Sequence, residues 1–352
     1  MTRRLWLIVT AFMLIASIGT FAGGKGEAVT GGIKVGVSNG QITNTWRTQM
    51  VSDLNQEFGY YKGKGWADSM NIAHAGSDVD LQISQIRNMI NSGVQLLLIN
   101  PLSSTALNPV IEEAVSMDVL VIVFDQEITS KAALQVVPDQ EDFIRSIAQY
   151  VIDRLGGKGD VVYMSGYDGQ PANTLRDNVV YELVDQNPGI NVLTKVNGNW
   201  DPTTAQQVMA DVLAAFPKID GVISQDGMQL GIIRAFENAN RPLVPITGDS
   251  TIEFLAKWRE LRDESGFETL GFINGPGFTA NLALGIGLRL LRGEELKDGV
   301  MGGPNKNVLK IKLMPITNDN LDQLYEEHLS KRGIADFIDG WYSQEEIDAL
   351  FK

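Results

Sequence analysis

Two short motifs in the sequence resemble catalytic loops. The first, residues 36–40 (GVSNG), matches the G-x-S-x-G pattern in which a serine acts as nucleophile. That chemistry needs a helix directly after the serine and a histidine later in the chain as base. Here the polar residues 41–44 delay the helix, and the only two histidines, His74 and His328, fall on a predicted strand and in an acidic tail. The motif therefore does not predict a hydrolase.

The second motif, residues 275–280 (GPGFTA), matches the G-x-G-x-x-A fingerprint of dinucleotide-binding loops. Glu294 and Glu295 follow about 20 residues later, where a ribose-binding acid is expected. However, the motif comes at the end of the strand series instead of in the first strand-to-helix turn. Walker A, H-E-x-x-H and EF-hand patterns are missing from the sequence. We therefore expect no cofactor, no metal site and no enzymatic activity.

Polar and aromatic side chains follow most of the predicted strands at the point where each strand ends. Ligands of open parallel sheets bind beyond the carboxyl ends of the strands, so we expect these side chains to lie together. Carboxylates, amides and arginines hydrogen-bond vicinal hydroxyls, and tryptophan faces cover the apolar side of a sugar ring. Each residue alone is also common in the loops or core of such a sheet, so the prediction depends on the whole set. The predicted binding residues are Ser38, Asn44, Trp46, Arg47, Asp125, Gln126, Arg176, Trp200, Gln225, Asp226, Asp249 and Asn274.

Apolar runs of strand length alternate with amphipathic runs of helical spacing along the chain. Residues 33–37 (IKVGV), 95–99 (QLLLI) and 119–124 (VLVIVF) are examples of the apolar runs. This alternation predicts an α/β protein with parallel strands covered by helices on both faces. About ten such strands are too many for one simple sheet of this kind. The sequence therefore predicts two similar doubly wound parallel-sheet lobes.

Length and composition agree with two domains and exclude several classes of function. The 352 residues include 29 Lys and Arg against 43 Asp and Glu, a formal net charge of −14. This acid excess argues against a nucleic-acid partner, which would favour a basic surface. The sequence contains no cysteine, which excludes disulfides, thiolate catalysis, cysteine-bound zinc and lipid attachment through cysteine.

The first 22 residues have the pattern of a secretory signal peptide. Arg3 and Arg4 precede an apolar run over residues 5–18, and the small residues of 20–22 fit a cleavage site. The run is short for a membrane-spanning helix, and a retained anchor is the alternative. The arginine pair matches part of a twin-Arg signal, which leaves the export route open. We expect a periplasmic protein from which residues 1–22 are removed.

Five stretches of the sequence carry a resemblance to one family. The sequence resembles the sugar-binding proteins of bacterial ABC importers, in the ribose- and galactofuranose-binding group of type I periplasmic binding proteins. The resemblance covers about residues 33–313 and implies a monomer that captures a monosaccharide (a pentose, furanose or related polyol) and delivers it to an ABC-transporter permease. The stretches are residues 85–114 (QIRNMINSGVQLLLINPLSSTALNPVIEEA), 121–127 (VIVFDQE), 166–178 (GYDGQPANTLRDN), 219–236 (IDGVISQDGMQLGIIRAF) and 246–250 (ITGDS).

The resemblance also implies a division of the chain. In this family two lobes close over the ligand by bending at a three-segment hinge. We expect the chain to cross between lobes near Pro138, near Asn274 and around residues 305–310. The expected first lobe comprises residues 32–138 and 275–306. The expected second lobe comprises residues 139–274 and 307–352, including the acidic tail.

The ligand contacts of the family fall on the same positions that the strand ends predict, with three departures. Gln126 stands where an arginine is expected, and Gln225 stands where a shorter asparagine is usual. Both changes argue against ribose itself as the ligand. Arg47 stands where ribose binders have a second stacking aromatic residue, and the pair Trp46-Arg47 is similar to the galactofuranose binders.

Two other functions share this architecture. A sensory binding protein would present a sugar-like signal to a membrane receptor, and the sequence alone does not separate it from a transport protein. A sugar-responsive repressor would need an N-terminal helix-turn-helix, where this sequence has the predicted signal peptide.

Overall fold

Residues 28–338 and 340–352 are described by a computed structural model. The predicted signal peptide, residues 1–22, lies outside these described residues. Within them, no helix is both long enough and apolar enough to cross a membrane.

The larger of two parallel sheets has six strands. They are β1 (Ile33–Asn39), β2 (Ala67–His74), β3 (Leu96–Asn100), β4 (Leu120–Phe124), β5 (Leu134–Pro138) and β10 (Val308–Ile311), in the order β10-β5-β4-β3-β1-β2. Its covering helices are α1 (Thr45–Gly63), α2 (Val79–Asn91), α3 (Asn108–Ser116) and α9 (Ala280–Leu291).

Strand β3 shows why an uninterrupted apolar run predicts a buried strand. Leu96 and Leu98 pack into one hydrophobic cluster, and Leu97 and Ile99 pack into another on the opposite face of the sheet. Successive side chains of a strand point to opposite faces, so a strand covered on both sides needs an uninterrupted apolar sequence.

The smaller sheet forms the centre of the second lobe. Its strands are β6 (Lys158–Ser165), β7 (Gly189–Asn197) and β8 (Gly221–Ser224), in the parallel order β7-β6-β8. A parallel bridge from Val222 to Ile246 extends it, and β9 (Gly271–Phe272) pairs antiparallel with β11 (Pro315–Ile316). The helices of this lobe are α4 (Gln140–Arg154), α5 (Pro171–Gln186), α6 (Pro202–Ala215), α7 (Gln229–Asn238), α8 (Ile252–Ser265) and α10 (Leu321–Leu329). The predicted α/β fold with two parallel-sheet lobes is confirmed.

Part of the predicted boundary between the lobes is wrong. We expected residues 307–352 in the second lobe, but β10 pairs with β5 and forms the edge of the larger sheet. This pairing covers the free side of β5, and the chain leaves the first lobe only after Ile311. The final helix α11 (Gln344–Asp348) also contacts the first lobe. Its residue Gln344 accepts a hydrogen bond from Tyr61 Oη at 3.0 Å.

Candidate functional site

A cavity of about 50 Å³ lies where the carboxyl ends of the two sheets face each other. Both lobes and the segments that connect them contribute side chains to its wall. All of the lining residues except Gln140, Ala172 and Phe337 belong to the set predicted from the strand ends. The cavity is lined by Asn44, Trp46, Arg47, Asp125, Gln126, Gln140, Ala172, Arg176, Trp200, Asp226, Asn274 and Phe337.

The first lobe places its aromatic and cationic side chains by capping α1. The Asn44 side chain accepts a hydrogen bond from the backbone N of Arg47 at 3.0 Å, which fixes the first turn of the helix. Trp46 and Arg47 occupy that turn, and Trp46 Nε1 donates to the backbone oxygen of Asn274 at 2.8 Å. The tryptophan is thereby anchored to a segment that joins the lobes.

Arg47 and Asp125 form a loose buried ion pair in the first lobe. Arg47 is only 4% exposed, and its guanidinium lies 3.5 Å from Asp125 Oδ2. Its further hydrogen bond to Asn39 Oδ1 is long, at 3.4 Å. Burial lowers the pKa of Arg47, and burial raises the pKa of Asp125 although Arg47 opposes that change. The contacts of Arg47 with Asp125 and with Asn39 are long, so the guanidinium and the carboxylate can still form shorter hydrogen bonds to a molecule in the cavity.

Asp125 follows β4 in a left-handed backbone conformation, with a φ of 69°. Asn100, at the end of the neighbouring strand β3, donates to Asp125 Oδ2 at 3.1 Å. A non-glycine residue in this conformation costs on the order of 1 kcal/mol, and such strain is concentrated at functional sites. Asp125 in this turn lines the cavity.

The second lobe contributes a tighter ion pair to the cavity wall. Arg176, on α5, lies with NH1 at 2.6 Å from Asp226 Oδ1. Its Nε donates to Gln140 Oε1 at 2.8 Å, and its NH2 donates to the same oxygen. Asn274 Nδ2 donates to the other oxygen of Asp226. Most of the polar groups of this pair are therefore occupied within the protein.

Trp200 reaches the cavity from an unusual turn after β7. Asn199 and Trp200 both have positive φ values, 57° and 50°. The indole Nε1 donates to Gln225 Oε1 at 2.8 Å. A Cβ atom on Gly166 would lie 2.1 Å from the Trp200 ring, so only glycine at that position allows the ring to pack there.

The chain matches a known family over most of its length. The sequence profile of the periplasmic binding protein domain family matches residues 35–294. This protein belongs to that family.

Individual relatives and solved structures agree with this assignment. The xylitol-binding protein of Mycolicibacterium smegmatis is 29% identical over 270 residues, covering 76% of this chain and 73% of that protein. The ribose import binding protein of Bacillus subtilis is 26% identical over 228 residues, covering 64% of this chain and 72% of that protein. The crystal structure of an ABC transporter solute binding protein from Thermobispora bispora has a TM-score of 0.80 at 24% identity, with 90% of this chain and 94% of that one covered. The predicted family is confirmed, and it is a family of solute-binding proteins, not of enzymes.

Three predicted residues of this periplasmic binding protein do not reach the cavity. Ser38 is buried and accepts a hydrogen bond from Gln82 Nε2 at 3.2 Å. Gln225 lies behind Trp200, and its Nε2 donates to Tyr163 Oη and Asn173 Oδ1, both at 2.8 Å. Gln225 therefore positions the tryptophan instead of lining the cavity.

Asp249 also lies behind the cavity wall. It is 2% exposed and accepts hydrogen bonds from Ser250 N at 2.7 Å and Thr251 Oγ1 at 3.2 Å. Burial, reinforced by the nearby charge of Asp226, raises the pKa of Asp249 to about 7. It supports the loop that carries the second-lobe ion pair.

Sequence reasoning missed Gln140, Ala172 and Phe337. Gln140 follows β5, a strand that the apolar pattern did not reveal; with β5 assigned, the strand-end rule would have found it. Ala172 in the first turn of α5 and Phe337 in the C-terminal region carry no polar signal.

The two lobes of the periplasmic binding protein touch each other across the cavity. Gln126, from the first lobe, accepts a hydrogen bond from Ala172 N at 3.2 Å and donates to Gln170 Oε1 at 3.3 Å. Thr43 and Tyr167 share a hydrogen bond of 3.3 Å between their hydroxyl groups. Gln126, where the family resemblance led us to expect an arginine, therefore connects the lobes through neutral hydrogen bonds at the N-terminus of α5.

Proposed function

We propose that this periplasmic binding protein captures an uncharged monosaccharide or sugar alcohol between its lobes and delivers it to the permease of an ABC importer. The observation that carries the proposal is the balance of charge in the cavity. Each of the two arginines has an aspartate as its partner, at 3.5 Å in the first lobe and 2.6 Å in the second.

Charge balance distinguishes a neutral ligand from a sugar acid. A carboxylate on the ligand would compete with Asp125 or Asp226 for an arginine and bring a further negative charge into a buried site. Hydroxyl groups instead both donate to a carboxylate and accept from a guanidinium, so one ligand satisfies both members of the Arg47–Asp125 pair. One tryptophan from each lobe supplies apolar surface for the C–H groups of such a ligand.

The size of the cavity favours a single small ligand. The cavity volume is only about 50 Å³, which favours a ligand of monosaccharide size over an oligosaccharide. Two relatives carry names that refer to five-carbon compounds, xylitol and ribose. Xylitol is therefore the first compound to test, with other pentitols and pentoses next.

Isothermal titration calorimetry on the mature protein tests the proposal. The panel is xylitol, D-arabitol, D-ribose and D-xylose, with D-xylonate as the charged control. We expect a neutral member to bind with a Kd in the micromolar range or below, and D-xylonate to bind at least about tenfold more weakly. Absence of heat and of thermal stabilisation with every neutral compound would overturn the proposal, and tighter binding of D-xylonate would overturn its charge argument.

A matched pair of variants shows whether the ligand measured by calorimetry binds in this cavity. Arg47→Met removes a cation from the wall, whereas Arg87→Met removes an exposed cation that pairs with Glu113 at 3.0 Å. We expect Arg47→Met to weaken binding and Arg87→Met to leave it unchanged. The neighbouring genes separate delivery from signalling, because permease and ATPase genes would indicate transport and a sensor kinase gene would indicate signalling. Delivery itself is tested by ligand-stimulated ATP hydrolysis of a reconstituted permease and ATPase.

A further inference from the structure

The C-terminal region of the chain returns from the second lobe to the first. We call residues 331–352 the C-terminal strap; they lie beyond the family match, which ends at residue 294. On the second lobe, Ile252 N donates to Asp336 O at 2.9 Å and Ile338 N donates to Ser250 O at 2.7 Å. The strap therefore follows the loop that precedes α8, directly beside Asp249.

The same strap is bound to the first lobe within a few residues. The side chain of Gln49, on α1, donates to the backbone O of Phe337 at 3.0 Å and accepts from its backbone N at 2.8 Å. Arg332 forms an ion pair with the buried Asp53, one helical turn further along α1. The strap thus adds a connection between the lobes to the crossings beside the cavity.

These contacts fix the Phe337 ring in the cavity wall. The residue is 5% exposed, and its backbone is held from one side by Gln49 and from the other by a bridge to Thr251. The ring tip lies close to Gly227, where an added Cβ would be 3.6 Å from Phe337 Cζ. Because its backbone is bonded to both lobes, the ring has little freedom to move away from a ligand.

We propose that Phe337 is a specificity-determining residue that limits the size of the ligand; this inference rests on the proposed function. Unlike Trp46 and Trp200, which also line the cavity, phenylalanine has no polar atom. A ligand with one more hydroxyl-bearing carbon directed at this ring would lose hydrogen bonds to water and gain none from the protein. The ring therefore favours five-carbon compounds over their six-carbon homologues.

Two matched ligand pairs test the inference. D-sorbitol is xylitol with one more CHOH unit, and D-glucose is related in the same way to D-xylose. We expect the wild-type protein to prefer the five-carbon member of a pair by at least about tenfold. In Phe337→Ala that preference should fall by about tenfold or more, through weaker binding of the five-carbon compound and retained or stronger binding of the six-carbon one.

Two further variants keep the test decisive. Phe337→Leu retains an apolar side chain and fills the gap partly, so an intermediate preference is expected even if Phe337→Ala does not fold. Tyr342→Ala alters the strap where it packs edge-on against Phe278, with ring centroids 6.0 Å apart, but Tyr342 does not line the cavity. It should keep the wild-type preference.

The ligand preferences of the Phe337 and Tyr342 variants decide between the inference and its failure. A changed preference in the Phe337 variants with an unchanged one in Tyr342→Ala supports the inference. An unchanged preference in both Phe337 variants, or an equal change in Tyr342→Ala, overturns it while the proposed function stands. If the wild-type protein binds none of the four compounds and none of the calorimetry panel, the proposed function and this inference both fail.

Discussion

The two halves of the cavity contain the same residue types but are bonded differently. Each lobe contributes a tryptophan, an arginine and an aspartate. In the second lobe the Arg176–Asp226 distance is 2.6 Å, and Gln140 accepts two further hydrogen bonds from the arginine. In the first lobe the Arg47–Asp125 distance is 3.5 Å, and the hydrogen bond from the guanidinium to Asn39 Oδ1 is 3.4 Å long.

This difference assigns different tasks to the two halves. A pair whose donors and acceptors are already used within the protein is preformed and mainly supports the structure. A pair with longer contacts and pKa values displaced by burial gains more from a hydroxyl-bearing ligand. We infer that the second-lobe half is the rigid wall of the site and that the first-lobe half supplies most of the polar affinity.

The strongest test of this comparison is Arg176→Met. The change leaves Asp226 buried without its cation and Gln140 without a donor, so we expect a loss of about 3–5 kcal/mol in the free energy of unfolding. Arg47→Met should lose less unfolding free energy, because the Arg47–Asp125 ion pair is looser. Urea unfolding followed by circular dichroism measures both values.

The control for this test is Arg145→Met. Arg145 lies on the neighbouring helix α4 and forms more exposed ion pairs with Glu141 and Glu182. Such surface pairs contribute about 1 kcal/mol or less. A larger loss of stability in Arg47→Met than in Arg176→Met would contradict our division of the site.

The next prediction concerns the pH dependence of stability in the second-lobe half. Burial raises the pKa of Asp249 to about 7 in the folded protein, whereas an unfolded aspartate titrates near its ordinary value of 3.8. Between these two values Asp249 binds more protons in the folded state than in the unfolded state, so its contribution to stability falls as pH rises and levels off above about pH 7. At about 1.4 kcal/mol per pKa unit, Asp249 contributes at most about 4 kcal/mol to this fall.

Asp249→Asn isolates that contribution. Between pH 4.5 and pH 8 the unfolding free energy of the wild type should fall relative to that of the variant. Equal differences in the two proteins would show that other groups carry the pH dependence. Ligand affinity should change less than stability, because Asp249 does not line the cavity.

In the first-lobe half, Asp125→Ala tests whether this carboxylate contributes to ligand affinity. We expect ligand binding to weaken by about 2–4 kcal/mol, since the change removes an acceptor for ligand hydroxyls and leaves Arg47 unpaired. The loss of stability should be smaller than in Arg176→Met, because the Arg47–Asp125 pair is the looser of the two. Asp125→Asn, which keeps one oxygen acceptor, should lose less affinity than Asp125→Ala in calorimetry. The reverse order would contradict the assigned role of the carboxylate.

Much of the site could be predicted because parallel sheets bring their strand ends together. Uninterrupted apolar runs reveal β3 and β4, and the polar residues that follow them, such as Asp125, reach the cavity. The same rule fails at Ser38, whose side chain points from β1 to Gln82 of α2. A strand end fixes where a residue is located but not which neighbours occupy its polar atoms.

Other parts of the molecule depend on contacts that have no local signal. Strand β5 contains Gln135 among apolar residues and ends in a proline, so its pattern is weak, and Gln140 was missed with it. The pairing of β10 with β5 joins segments far apart in the chain, and Phe337 reaches the cavity only because the strap crosses between lobes. Such long-range packing decides the remainder of the site, and local periodicity does not encode it.

The smallest predicted effect is the difference between the Ala variants of the two cavity tryptophans, Trp46 and Trp200. Trp200→Ala should weaken ligand binding by about 1–3 kcal/mol through lost apolar contact, and the contacts that hold this ring, to Gln225 and Gly166, lie within the second lobe. Trp46→Ala should cost a similar contact energy and in addition weaken the tie between lobes, since Trp46 Nε1 donates to the backbone of Asn274. We therefore expect the ligand dissociation rate to increase more in Trp46→Ala than in Trp200→Ala. Stopped-flow fluorescence of the remaining tryptophans measures both rates. Equal dissociation rates in the two variants would show that the halves of the cavity hold their aromatic residues in the same way.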